Sequence, residues 1–252
     1  MDSGSDIRLK TPDEIKRIQE SCLVIKDIFA KLSIYNLENQ STLEIDKYVE
    51  SVISRHKAKP SFKLVNDYYH ATCISLNSEV VHGVPSKHKI IRKGDLVKID
   101  VGVVKKGYFG DACRTFFVPE IEDDALRLIE TTRRALEIGV KNCFDGNRLG
   151  TLGWAIQKYV EAEGFSIVRE FTGHGVGFAV HESPVIFHYG EKDRGQRLRQ
   201  GMVLAVEPIV NAGLPDVEIL EDGWTAETID GRLSAQFEDT IAITENGPVV
   251  LT

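Results

Sequence analysis

The chain has 252 residues, of which 42% are hydrophobic and 27% charged, with a net charge of −7 and a pI near 5.6. A chain of this length buries a sizeable core without staples, and its acidic balance argues against a general nucleic-acid binder, which carries a basic stripe. Cys22, Cys73, Cys113 and Cys143 form no C-x-x-C pair, which argues against a disulfide framework or a zinc ribbon.

Residues 1–10 are polar and charged, lack an apolar signal-peptide core, and read as a flexible N-terminal extension. No apolar run approaches the ~18 residues of a membrane span, so a cytoplasmic protein without membrane contact is the default expectation. Thr11-Pro12-Asp13-Glu14 reads as a helix start: Thr11 caps, Pro12 suits the first position and Glu14 completes a capping box. Ile15, Ile18, Cys22, Ile25, Ile28 and Phe29 follow at helical spacing. Ser41 and Glu44 repeat the capping signature ahead of Ile45, Val49, Val52 and Ile53. Strands are expected at 71–76 and 96–101, with loops from Gly83 to Gly94 between them, and a hairpin turn at Lys105-Lys106-Gly107 leads into 108–118. Helices resume at 124–140 and 149–163, where Gly164 is a stop signal. The last third returns to strands, at about 166–180, 202–210, 217–220 and 233–244. Helices and strands, then helices and strands again, suggest an α+β arrangement of two similar halves around one sheet. No low-complexity linker separates them, so 1–252 reads as one domain.

Asp100 and Asp111 flank the hairpin turn and, with an even-length turn, project from the same face of the sheet. Carboxylates that close repel, which a cation relieves; two solvated aspartates at strand ends is the plainer reading. In Gly173-His174-Gly175-Val176-Gly177, glycines let the backbone around His174 approach something closely, and His181 follows within eight residues. A surface histidine in a glycine turn is the alternative. Glu207 and Glu238 stand in apolar strand sequence, where a carboxylate is costly unless paired, protonated, metal-bound or on an exposed edge. His82 opens a Gly/Pro loop, where an ordinary loop residue is the commoner case.

Together Asn77–Pro85, Lys93–Val103, Gly107–Asp111, Gly173–Gly177, His181-Glu182-Ser183-Pro184, Gly201–Pro208 and Leu233–Thr240 resemble the compact bacterial methionine aminopeptidases. The resemblance runs from about Leu9 to Asn246. It implies the pita-bread fold, with two pseudo-symmetric halves around an antiparallel sheet and helices outside, acting as a single catalytic metallopeptidase domain. It also implies a cofactor of two divalent metal ions (Co, Mn, Fe or Zn). Asp100 would hold one metal, Asp111 and Glu238 would bridge both, and His174 and Glu207 would complete the other. His82 and His181 would lie beside the scissile peptide, and Glu207 would shuttle the proton to the leaving amine. Substrates would be peptide and nascent-protein N-termini, most naturally initiator methionine, with ribosome association as a corollary and a monomer as the working unit. The methionine pocket keeps Tyr68 and Trp224, whereas Phe62 replaces a familiar cysteine, Val180 replaces a phenylalanine and Ser183 stands for a glutamate. Competing readings are an Xaa-Pro peptidase of the same fold, which usually carries a large N-terminal domain, and a metal-free binding module of that fold.

Overall fold

The computed structural model describes residues 7–252. In chain order the elements are α1 (Pro12–Leu32), α2 (Thr42–Arg55), β1 (Lys59–Pro60), β2 (Thr72–Leu76), β3 (Leu96–Lys105), β4 (Tyr108–Phe117), α3 (Asp123–Lys141) and α4 (Leu149–Ala162). Then follow β5 (Ser166–Ile167), β6 (Gly173–Gly175), β7 (Glu182–Ile186), β8 (Val203–Val206), β9 (Ile209–Asn211), β10 (Val217–Ile219), β11 (Ala226–Thr228), β12 (Ser234–Gln236), β13 (Asp239–Thr244) and β14 (Gly247–Val250).

Both expected capping boxes form, Thr11 with Glu14 and Ser41 with Glu44, each satisfying orphan N–H groups at its helix start. The stripe Ile18, Cys22, Ile25 and Ile28 of α1 is fully buried, as its spacing requires. Between β3 and β4, Lys105 pairs with Tyr108, leaving Lys106 (φ 53°) and Gly107 (φ 83°) as a two-residue turn. Positive φ at both central positions is the hairpin geometry that matches strand twist.

β3 is central in the first sheet: β1 and β2 pair along one edge and β4 along the other, all antiparallel. The second half contains a sheet in the order β14-β13-β8-β6-β7, a second in the order β12-β9-β5, and the hairpin β10-β11. The two largest hydrophobic clusters lie one in each half. Ile25, Ile28, Ile45 and Ile53 of α1 and α2 meet Ile74, Ile99 and Val101 of β2 and β3. Leu128, Leu136, Leu152 and Ile156 of α3 and α4 meet Leu204, Val206 and Ile241 of β8 and β13. Each fully buried aliphatic side chain contributes about 1.5–3 kcal/mol.

The halves join along β4. Thr115 Oγ1 donates to Gln236 O (2.7 Å) and accepts from Gln236 N (3.0 Å). Glu238 N donates to Cys113 O (2.9 Å). Asp111 N donates to Thr240 Oγ1 (3.0 Å), which itself donates to Asp111 O (2.7 Å). Threonine hydroxyls thus stand in for part of the ladder and bridge the two halves.

Several strand expectations need correction. The run 202–210 is interrupted at Glu207 and Pro208, and the run 233–244 at Phe237 and Glu238. Pro208 has no N–H, and Glu207 N–H donates to His188 Nε2 (3.1 Å) instead of to a strand carbonyl. The run 166–180 is two short strands, and β1, β7, β11 and β14 were not anticipated. Of the expected extension 1–10, residues 1–6 lie outside the described residues. Lys10, at its end, is 5% exposed and anchored by its N–H to Gly201 O (2.7 Å).

Candidate metal centre

The seam between the halves gathers side chains that are far apart in sequence. In the β3–β4 register Asp100 faces Cys113 and Asp111 faces Gly102, so the two carboxylates are diagonal neighbours on one face. His174 lies on β6, opposite Ala205 of β8 on one side and Val185 of β7 on the other. The glycines beside it admit those neighbours: a Cβ on Gly173 would collide with Ala205 O, and one on Gly175 with Ser183 O. What the backbone approaches so closely is therefore the adjoining strands. Glu207 follows β8 and Glu238 precedes β13, both at strand breaks. The breaks free these side chains from strict alternation and leave both among the residues lining the cavity.

Asp100, Asp111, His174, Glu207 and Glu238 line one cavity of about 510 Å³ together with His82 and His181. Asp111, His174 and Glu238 are buried, and each offers a ligand atom within 4.8 Å of the others. His174 Nδ1 bonds Gly175 O at 2.9 Å, which assigns the proton to Nδ1 and turns the Nε2 lone pair inward. That Nε2 lies 3.5 Å from Glu207 Oε1 and 3.9 Å from Asp111 Oδ2. A lone pair facing carboxylate oxygens has no donor between them. Asp100 Oδ1, Asp111 Oδ1 and Glu238 Oε1 are likewise buried without a hydrogen-bond partner. Burial pushes Asp100 up to about 7. Burial, then the neighbouring negative charges, pushes Asp111, Glu207 and Glu238 well above the usual carboxylate range. Burial pushes His174 down to about 3. With its carboxylates ionised the cluster is acceptor-only and starved of positive charge, a donor set that fits divalent cations of the Mn, Fe, Co or Zn kind. Two dications would balance the four carboxylates.

Beside this cluster the cavity turns apolar. Phe62, Tyr68 and Cys73 form a buried group against which Val65, Val180 and Trp224 pack. Tyr68 and Trp224 meet edge to face at 5.1 Å, and the Tyr68 hydroxyl is satisfied by Thr72 O (2.8 Å). Val180 packs on this group but is not among the residues lining the cavity, whereas Phe62, Tyr68 and Trp224 line it. His82, at φ 58°, lies edge to face with Phe171 at 5.2 Å, and burial lowers its pKa to about 4. His181 is exposed in the cavity, its ring centroid 4.4 Å from that of His174, and the protein around it lowers its pKa.

Four contributors were not singled out by sequence. Gln236 Nε2 donates to Glu207 Oε2 (3.1 Å). It stands two residues before Glu238, a spacing that could have flagged it as a same-face polar residue. His188, 1% exposed, holds the Glu207 backbone, and no local signal marks it. Cys73 and Val65 line the apolar end; Cys73 pairs with Asp100 across β2 and β3, whereas Val65 follows a short helical turn and carries no local signal.

Comparison with known proteins gives one answer over nearly the full length. Residues 16–245 match the model of metallopeptidase family M24. The chain is similar to methionine aminopeptidase 1 of Bacillus subtilis, with 44% identity over 96% of this chain and 98% of that one. Its fold is similar to the crystal structure of methionine aminopeptidase from Thermotoga maritima, with a TM-score of 0.95 and 41% identity over 98% of this chain and 99% of the other. The prolidase of Pyrococcus furiosus is also similar, at TM-score 0.79 and 28% identity, but the 97% of this chain that aligns spans 65% of the prolidase.

Proposed function

The chain belongs to metallopeptidase family M24, with methionine aminopeptidases as full-length relatives, and on that premise we propose that it removes N-terminal methionine from peptides and proteins in a metal-dependent hydrolysis. The observation that carries this reading is the carboxylate cluster with its orphaned oxygens, sharing one cavity with the apolar group of Phe62, Tyr68, Cys73 and Trp224. We take Asp100, Asp111, His174, Glu207 and Glu238 to hold two divalent ions. When bound, such ions supply Lewis acidity and an acidified water at neutral pH.

The residues of the chain do the rest. Phe62, Val65, Tyr68, Cys73 and Trp224 exclude water from the first side chain and orient it. His82 and His181 flank the peptide to be cut. Their lowered pKa values keep both rings neutral near pH 7, so each offers one N–H to the carbonyl oxygen as charge develops on it. Neutral rings also avoid repelling the ammonium of the substrate. Gln236 fixes Glu207 Oε2, leaving Oε1 toward His174 as the atom that takes a proton and returns it to the departing amine. The setting we assign is a cytoplasmic monomer, one catalytic domain, acting on free and nascent N-termini, some of them at the ribosome.

The test is release of the first residue from Met-Ala-type peptides by protein reconstituted with Mn or Co, with Xaa-Pro peptides as the comparison. Methionine release abolished by EDTA is expected. Absence of release from every unblocked peptide, with every divalent metal tried, refutes the enzyme; preference for Xaa-Pro bonds refutes the methionine assignment alone.

A further inference from the structure

The connection from β6 to β7 carries Val180 and His181, and it is held by a residue 172 positions earlier in the chain. Lys10 precedes the stretch that matches the family model. Its Nζ donates to Glu182 Oε2 at 2.6 Å, with the two side chains 1% and 13% exposed. Glu182 directly follows His181. Its other oxygen, Oε1, accepts the N–H groups of Phe178 and Ala179, so one carboxylate closes the loop upon itself and ties it to Lys10. The Lys10 backbone is fixed in turn by Gly201 O, just ahead of β8. Gly177, at φ 143°, sits against this stem: a Cβ there would lie 2.9 Å from Lys10 Cε and 2.7 Å from Ile18 Cδ1. Arg8 stacks on Phe178, 3.5 Å from the ring centroid. A buried ion pair of this kind adds little net stability but fixes one conformation, because breaking it strands a buried charge.

We propose that Lys10 is a positioning residue for the hydrolysis: through Glu182 it fixes the backbone of 178–182 and so aims the His181 ring into the cavity. The inference rests on the reading of His181 as a group beside the scissile peptide. A segment at the far end of the chain then belongs to the working parts of the site, although it touches neither substrate nor metal ligand.

The test is steady-state hydrolysis of a Met-Ala-type peptide by the metal-loaded full chain. Lys10→Met is expected to lower kcat/KM about 10- to 100-fold, as small misplacements of reacting groups do, with metal stoichiometry by calorimetry unchanged. Lys10→Arg, which keeps the charge, restores most of the loss. In a His181→Ala background, Lys10→Met costs less than about twofold, because the two changes act on one element. Lys10→Met activity within about twofold of the parent, or losses that multiply fully with His181→Ala, overturns the proposal. If Lys10→Met shows no cooperative unfolding, Glu182→Gln, which keeps the volume and one acceptor, is read in the same way. His181→Ala at full activity would defeat the assigned role of His181 first, and this inference with it, while leaving the aminopeptidase itself standing.

Discussion

Asp111 is 3% exposed, and burial, then the negative charge of Asp100 and Glu207, raises its pKa well above the usual carboxylate range. Asp111→Asn removes the charge of one of the carboxylates proposed above as metal ligands. We expect tight binding of the second equivalent of Mn or Co to disappear in isothermal titration, and activity with it. Unchanged stoichiometry would show that this carboxylate does not bridge. At this scale the sequence was informative where a local rule links residues. Alternation across a short hairpin was enough to put Asp100 and Asp111 on one face, and the register confirms it. His188 and Gln236 escaped because their partner, Glu207, is 19 and 29 residues away and no periodicity connects them. The metal-free module considered from sequence is at odds with the orphaned oxygens of Asp100, Asp111 and Glu238, whose burial has no evident use unless something positive meets them.

Among the elements, the β3–β4 hairpin decides most. Its turn must be two residues long, since a shift of one would carry Asp111 to the opposite face. Gly107 holds φ 83° with nothing within 4 Å of where a Cβ would be, so a substitution there tests backbone conformation alone. Gly107→Val is expected to destabilise by about 1–2 kcal/mol, read as a fall in Tm of about 2–4 °C per kcal/mol for a chain of this size. A variant as stable as the parent would mean that the turn relaxes without cost. The helices were legible for a similar reason: both capping boxes and the α1 stripe are local patterns. The strands around Glu207 and Glu238 were misjudged because a break looks apolar and continuous in sequence. Pro208 was the visible hint, a residue without an N–H in what otherwise reads as a central strand.

For the molecule as a whole, the site is also where its two halves are fastened, so metal content and stability are linked. In unfolded chains carboxylates titrate near 4, whereas burial pushes Asp100 up to about 7 in the fold and raises Asp111, Glu207 and Glu238 in the same direction. Between those limits the metal-free folded state holds protons that the unfolded state has released. The Asp100 share of this contribution to stability is complete below about pH 4 and is lost as pH rises through about 7, and the other three carboxyls act in the same direction. EDTA-treated protein should therefore lose Tm as pH rises through about 7, above the range in which His82 and His174, held neutral in the fold, contribute the opposite slope. Metal at about 100 times its dissociation constant should restore about 2.7 kcal/mol once that loss is complete. A metal-free Tm indifferent to that rise in pH would mean that the carboxylates are not crowded as described. The sequence by itself determined the helices, the α+β class and the shared face of Asp100 and Asp111, because capping, helical spacing and hairpin alternation act over a few residues. Only the tertiary structure decided that β4 meets the 236–240 segment, that Glu207 and Glu238 stand at strand breaks, and that Lys10 reaches Glu182. Those contacts join residues more than a hundred positions apart or depend on them, and a pairing of that range leaves no period in the chain.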